Sequence, residues 1–82
     1  MPAGALAAAV ADLNLAYLEL ARRLGQSDRE MAMHCLGCGA EMVAEIARLT
    51  TEQLVRVSKT NILLCRIDIR SSSYLIRFNE SL

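Results

Sequence analysis

Apolar residues at the start of the chain recur with the spacing of one helix face. From Leu6 they are separated by alternating steps of four and three residues, which is a heptad seam sustained for almost three heptads. Ala, Leu, Glu and Arg fill the intervening positions and favour helix. The pattern predicts one long helix that Gly25 ends in a left-handed conformation. The seam residues are Leu6, Val10, Leu13, Tyr17, Leu20 and Leu24.

Two capping signals predict where shorter helices begin. Ser27 and Glu30 have the spacing of a capping box, in which each side chain bonds a backbone N–H at the helix start. They predict a second helix over residues 28–36. Thr50 and Gln53 repeat this spacing and predict the start of a fourth helix.

A third helix is predicted between these two. Gly37 and Gly39 bracket a short turn, and Met42, Ile46 and Leu49 then recur at helical spacing. The third helix should end near Leu49. Three short helices enclose little volume, so they need the long helix, or a second copy of it, to pack against.

Beyond residue 61 the period changes from that of a helix to that of a strand. Apolar residues alternate with others in two runs, separated by three serines, which predicts a short β segment and either a hairpin or a strand exchanged with another subunit. The predicted fold is therefore mostly α with a short β segment. The alternating residues are Leu63, Cys65, Ile67 and Ile69 in the first run, and Tyr74, Ile76 and Phe78 in the second.

The amino-acid composition indicates that the chain binds another protein chain. The 82 residues form a single domain, and 54% of them are hydrophobic, against roughly 45–50% in soluble domains. A domain of this size buries only about 60% of the surface of its unfolded chain. The excess apolar surface is therefore expected to face another protein chain.

Charge is balanced overall but unevenly distributed. Residues 1–54 carry four arginines against seven acids, whereas residues 55–82 carry five bases against two acids. Any contact with a polyanion is expected in the C-terminal third. The opening apolar run has no preceding base, so no signal peptide is predicted, and no stretch approaches the ~20 apolar residues of a membrane span. A cytoplasmic protein with reduced cysteines is expected.

The sharpest chemical candidate is a histidine followed by a C-x-x-C motif. His34, Cys35 and Cys38, with the distant Cys65, could supply four zinc ligands or a redox thiol pair. Free thiols at a helix end are the more common outcome, and the C-terminal end of a helix disfavours thiolate. No nucleophile elbow, phosphate-binding loop or HExxH motif occurs, so no enzyme and no cofactor are predicted.

Cys65 leaves two interpretations open. On a two-fold axis it would meet its own copy and could form an interchain disulfide, provided that the Cα atoms come within about 7 Å. Alternatively it is a small buried apolar residue, which the residues alone favour.

The stretch from Asp12 to Leu24 closely resembles the first helix of the FlhD family of flagellar transcription activators. The similarity continues in the same order without gaps as far as Cys65. Cys35 and Cys38 lie outside the family pattern. The matching downstream residues are Asp28, Ala32, Met33, Leu36, Gly37, Glu41, Met42, Leu49, Thr50, Gln53, Val55, Thr60, Asn61, Leu63 and Cys65.

The resemblance implies a subunit of a DNA-binding transcription activator. Such chains form mostly helical, interlocked homodimers that join FlhC in a complex of four FlhD and two FlhC chains, with zinc belonging to FlhC. It implies an interchain disulfide at Cys65, and FlhC contact or activator function at Asp28, Asn61 and, by position, His34. The alternative is a helical homodimeric adaptor that binds zinc or senses redox change through Cys35, Cys38 and Cys65.

DNA contact is expected only within that complex. Arg66, Arg70 and Arg77 are the candidates for contacts with the DNA backbone, because they lie in the basic C-terminal third. Relatives in the family continue into a helical segment that helps contact DNA. Residues 1–82 are accordingly expected to form one domain for dimerisation and FlhC binding, without that segment.

Overall fold

The computed structural model describes residues 3–65 and 72–80, which form five helices. Helix α1 packs against α2, α3 and α4, and α2 also packs against α3. The predicted long helix followed by three short ones is confirmed, and a further short helix follows them. The helices are α1 (Ala3–Ser27), α2 (Arg29–Leu36), α3 (Ala40–Arg48), α4 (Thr51–Ser58) and α5 (Ser72–Glu80).

The core lies along one face of α1. Asn14, Leu18 and Ala21 are buried there and follow one another by four and three residues, the spacing of a single helix face. The other helices contribute little to this face, because their buried apolar residues are small or few. They are Ala32 of α2, Val43 of α3 and Leu54 of α4.

Gly25 does not end α1, contrary to the prediction. The helix continues to Ser27, and Gly37 is the glycine with positive φ in the described part of the chain. A Cβ at Gly25 would lie 3.3 Å from the Ala47 Cβ and 3.3 Å from the Val43 carbonyl oxygen. Gly25 is therefore needed for the close approach of α3 to α1.

The predicted capping box at Ser27 is wrong by one residue. Ser27 is the last residue of α1, and Asp28 is the N-cap of α2 in an extended conformation. The Asp28 carboxylate accepts a hydrogen bond of 3.1 Å from the Met31 backbone N–H. A carboxylate at a helix N-terminus also interacts favourably with the helix dipole, which gives Asp28 the advantage over the serine.

The other predicted helix boundaries are confirmed. Gly37 ends α2 at φ 66°, and its N–H donates to the Met33 carbonyl, which satisfies one orphan acceptor. At the start of α4 both hydrogen bonds of the capping box form: Gln53 N–H to Thr50 Oγ1 at 3.1 Å, and Thr50 N–H to Gln53 Oε1 at 2.9 Å.

The predicted β segment is absent from the described residues. Residues 61–65 are irregular, and the second alternating run lies in helix α5. In this run of Tyr74, Ile76 and Phe78, the first and last residues are four apart, which fits a helix as well as alternation, so the run does not distinguish the two periods. Ile67 and Ile69 lie outside the described residues.

Helix α1 contradicts the expectation that no stretch could span a membrane. By length and composition alone, Gly4–Ser27 is long and apolar enough to do so. This is weak support for a membrane span, because core helices of soluble proteins and N-terminal signal sequences can have the same length and apolar composition. The buried Asn14 and the charged Asp12 and Glu19 belong to the same helix.

Candidate functional site

The predicted seam on α1 is only half covered by its own chain. Leu6, Leu13 and Leu20 expose 53%, 47% and 51% of their surface. The remaining seam residues, Val10, Tyr17 and Leu24, are half-buried. The seam lies beside the buried face of α1 and not on it, so a continuous apolar stripe stays open along the longest helix.

Two polar side chains of α1 hold the C-terminal end of α3 behind this stripe. Arg22 donates to the Leu49 carbonyl at 3.1 Å, and Gln26 donates to the Ala47 carbonyl at 3.0 Å. Carbonyls in the last turn of a helix have no partner within the helix, and they favour positive charge. These bonds stabilise the packing of α3 against α1.

Asn14 anchors the segment that follows α4. Its amide donates to the Ser58 carbonyl at 3.1 Å and to the Ile62 carbonyl at 2.9 Å, while its oxygen accepts from the Leu64 N–H at 2.8 Å. Asn14 is fully buried, and all three bonds join residues far apart in sequence. The amide thus replaces the backbone pairing that this irregular segment lacks.

A polar cleft of about 310 Å³ opens beside this anchor. It brings together three predicted site residues from separate elements: Tyr17 of α1, His34 of α2 and Cys65 of the anchored segment. Cys35 also lines it. His34 and Cys35 are exposed, whereas Tyr17 and Cys65 are half-buried, so the cleft is open to solvent at the end of α2.

The environment of Tyr17 reflects both the packing and the neighbouring thiols. Partial burial raises the pKa of the Tyr17 hydroxyl above its ordinary value of 10.0, and negative charge at Cys38 and Cys65 raises the pKa further. The phenol therefore stays neutral over the physiological range and can donate a hydrogen bond in the cleft.

The geometry gives no support to a zinc site. Among residues 3–65 and 72–80, no group of three or more His, Cys, Asp or Glu side chains is placed to hold a metal ion. Cys35 and Cys65 line the polar cleft, while Cys38 lines an adjoining apolar groove. The two pockets share Tyr17, Leu36 and Leu64 in their walls.

The other predicted partner-binding residues lie elsewhere on the surface. Asn61 is exposed and lines a cleft of about 470 Å³ with Leu6, Val10 and Lys59, beside the N-terminal half of the seam. Asp28 is exposed at the junction of α1 and α2. Asn61 therefore adjoins the seam, while His34 and Cys65 share the polar cleft.

The structure describes only one of the three predicted DNA-contacting arginines. Arg77 lies exposed in the last turn of α5, whereas Arg66 and Arg70 lie outside the described residues. A cation in this position interacts favourably with the helix dipole.

Asn14 is the structural residue beside the candidate site that the sequence analysis missed. The available signal is its position: it is a polar residue four positions before Leu18, on a face that is otherwise apolar. A buried polar side chain requires partners, so an asparagine there indicates a structural hydrogen-bond site.

Fold and surface together define a class: a small helical domain with a small core and an uncovered apolar face, the kind of surface that serves protein association. The chain belongs to the FlhD family. The family model described as "Flagellar transcriptional activator (FlhD)" matches residues 1–81.

Curated relatives are similar over most of the chain. The "Flagellar transcriptional regulator FlhD" of Enterobacter sp. (strain 22) is 38% identical over 71 residues, which are 87% of this chain and 61% of that protein. The protein of the same name from Ralstonia pickettii (strain 12D) is 42% identical over 67 residues, 82% of this chain and 67% of its own length. The chain thus spans about three fifths of the length of the Enterobacter relative.

Proposed function

We propose that this chain is a cytoplasmic subunit of a flagellar transcription activator and that it acts by binding other protein chains. The half-exposed seam on α1 is the observation that carries the proposal, because a single chain leaves its longest apolar stripe open. Family membership supplies the biological context, since its relatives are named as transcriptional regulators, which are not a class of enzyme.

The first proposed partner is a second copy of the chain. Heptad spacing suits a seam that packs against another helix, and Leu13 and Leu20 are one heptad apart with equivalent exposure. Two seams facing each other would cover both stripes in one symmetric interface. An interlocked homodimer of this kind is what the family resemblance implies.

The second proposed partner is FlhC, in an assembly of four copies of this chain and two of FlhC. Asp28, His34 and Asn61 are proposed to contribute to FlhC binding or activator function. All three side chains are exposed. Their exposure supports a role in binding, because none is needed to fill the core.

Promoter DNA is proposed to contact the assembly through the basic C-terminal third. Arg66, Arg70 and Arg77 would neutralise phosphates, which contributes affinity without sequence selection. Replacing them with alanine should weaken promoter binding and reduce its dependence on salt. Binding by the assembly with an unchanged salt dependence would eliminate this role.

Co-expression with FlhC tests the proposal as a whole. The mass of the purified complex should correspond to four copies of this chain and two of FlhC, and a gel shift should show binding to a flagellar promoter but not to an unrelated sequence. A chain that neither associates with itself nor binds FlhC would refute the proposal.

Asp28 requires a matched pair of variants, because its carboxylate also caps α2. Asp28→Asn removes the charge and keeps a capping oxygen, whereas Asp28→Ala removes both. Equal loss of FlhC binding by the two variants would indicate a role for the charge. Loss by the alanine variant alone would indicate that only the cap matters, and would contradict a direct contact by the carboxylate.

The interchain disulfide at Cys65 remains a prediction from the resemblance. All three cysteines are free thiols in the single chain. Non-reducing electrophoresis of oxidised protein tests it, because a disulfide-linked dimer that Cys65→Ser abolishes is expected.

A further inference from the structure

The half-exposed seam on α1 is centred on the middle of its helix. Its six residues run from Leu6 to Leu24, and α1 runs from Ala3 to Ser27, so residue 15 is the midpoint of both. Two copies of α1 that lie antiparallel with their midpoints together would overlap along their whole length. Every seam residue of one copy would then face a seam residue of the other. The facing pairs are Leu6 with Leu24, Val10 with Leu20, and Leu13 with Tyr17.

The two halves of α1 carry side chains of different size. Residues 5–9 contain four alanines and are exposed throughout, whereas residues 17–24 contain one tyrosine, three leucines and two arginines. Helices pack most tightly where large side chains face small ones. An antiparallel pair meets this condition at both ends, because the alanine-rich half of each copy faces the bulky half of the other. A parallel pair would place bulky residues against bulky ones and alanines against alanines.

The two flanks of the seam differ in what covers them. Asn14 and Ala21 lie on one flank and are buried by the rest of the same chain. Ala9 and Ala16 lie one heptad apart on the other flank and are exposed. In an antiparallel pair the two open flanks face each other, and their small side chains let the helices approach closely. In a parallel pair each open flank would instead face a flank that the second copy covers with its own chain.

An antiparallel pair also agrees with the proposed bridge between two copies at Cys65. Asn14 lies on the covered flank, one residue from the midpoint of α1, and it anchors residues 58–64, which Cys65 follows directly. The two covered flanks meet on one side of an antiparallel pair, so the anchored segments of the two copies come together beside the two-fold axis. A parallel pair would place these segments on opposite sides of the pair.

We propose that two copies of the chain associate through α1 as an antiparallel pair centred on residue 15, with Ala9 and Ala16 facing the second copy. This proposal rests on the homodimer proposed above and adds its orientation and register. Leu6 of each copy is covered by Leu24 of the other, at the opposite end of the helix. In a parallel pair Leu6 would face its own copy.

Opposite charges at the two ends of the seam distinguish the two orientations. Residues 6 and 24 are about 27 Å apart along one helix, so an antiparallel pair places them opposite each other and a parallel pair keeps them apart. The variants Leu6→Glu, Leu6→Lys and Leu24→Lys are made in the full chain, and circular dichroism verifies that each keeps its helices. Each variant alone should self-associate at least about 10-fold more weakly than the wild type, because its charge faces a leucine.

Mixtures of two variants provide the decisive comparison, measured by sedimentation equilibrium with reductant present. We expect Leu6→Glu mixed with Leu24→Lys to associate at least about 10-fold more tightly than either variant alone, because the glutamate then faces the lysine and the other end keeps leucine against leucine. Leu6→Glu mixed with Leu6→Lys is the matched control. It should show no gain, because the antiparallel pair keeps these two charges at opposite ends. Val10→Glu mixed with Leu20→Lys repeats the test if Leu24→Lys loses helix content.

The outcomes separate the orientation from the homodimer itself. A gain in the control mixture alone would show a parallel pair and overturn the proposal. Equal gains in the two mixtures would show general attraction between opposite charges and would overturn it too. A wild-type dimer with no gain in either mixture would also overturn it, while the homodimer would stand. A monomeric wild type would contradict the homodimer, and the orientation with it.

Discussion

Asn14 shows how one buried amide can organise a segment that has no regular structure of its own. Two carbonyls and one N–H from residues 58–64 meet its side chain, and no buried side-chain nitrogen or oxygen in the described residues lacks a partner. Periodicity alone does not reveal this role, because the partners are more than forty residues away and form no repeating pattern.

Removing this amide should destabilise the fold. Asn14→Ala leaves three backbone groups without their partner, and we expect the free energy of unfolding to fall by about 2–4 kcal/mol. Urea denaturation followed by circular dichroism measures the change. Asn61→Ala, on the exposed surface of the same segment, should alter it by no more than about 0.5 kcal/mol. Equal effects of the two substitutions would contradict the structural role of Asn14.

Tyr17 should make stability sensitive to alkaline pH. Because its folded pKa is raised, the unfolded chain loses the phenolic proton first as the pH increases. The contribution of Tyr17 is fully present below pH 10.0, the unfolded value, and is lost as the pH rises through the folded pKa. Denaturant unfolding of the wild type should show this fall, and Tyr17→Phe should show a smaller one. An identical pH profile for the two proteins would refute the assignment.

At the scale of elements, helix ends were predictable where the residues that end or begin the helix act within one turn and need no contact with another helix. Thr50 and Gln53 satisfy each other within one turn, and Gly37 adopts the left-handed conformation that few other residues tolerate. Gly25 and Ser27 carry the same types of signal, but tertiary contact with α3 and the stronger cap at Asp28 overrode them. Local chemistry thus identifies possible boundaries, and packing selects among them.

An alanine at position 25 should destabilise the fold even though Gly25 lies inside a helix. Alanine favours a helix interior by about 1 kcal/mol, but its Cβ would meet the Val43 backbone oxygen at 3.3 Å. We expect Gly25→Ala to lower the free energy of unfolding by about 1 kcal/mol or more, because α3 must move away. Gly4→Ala, where nothing lies within 4 Å of the added Cβ, should be neutral or slightly stabilising. If Gly25→Ala instead raised the free energy of unfolding, α3 could move away from α1 at little cost, which would contradict the need for glycine at this contact.

After residue 61, the alternation of apolar residues did not predict the secondary structure. Alternation after residue 61 predicted strands, yet residues 61–65 are held by Asn14 and Ser72–Glu80 is helical. The three alternating residues Tyr74, Ile76 and Phe78 also contain one pair at helical spacing, Tyr74 and Phe78, so their period is undetermined. The polar cleft could not be predicted from the sequence either, because its walls come from α1, α2 and the segment after α4, which are far apart along the chain.

At the scale of the whole molecule, the chain has more apolar surface than its own core uses. The described residues bury five hydrophobic side chains, of which two are alanines, while larger ones remain half exposed along α1. Three residues of the predicted heptad seam, Leu6, Leu13 and Leu20, belong to this surface, and their role as a dimer core stays a prediction. The heptad spacing could not identify which protein chain covers the stripe, because an apolar helix face can pack against any helix with a matching apolar face.

The oligomeric state of the chain tests the central claim most directly. Sedimentation equilibrium should show a dimer for the wild type, and Leu13→Glu should weaken association by roughly 100-fold or more, because a carboxylate would be buried in the interface. Arg23→Glu introduces the same side chain at an exposed position of α1 outside the seam, and it should remain dimeric. A monomeric wild type, or a Leu13→Glu variant that associates as tightly as the wild type, would contradict the account.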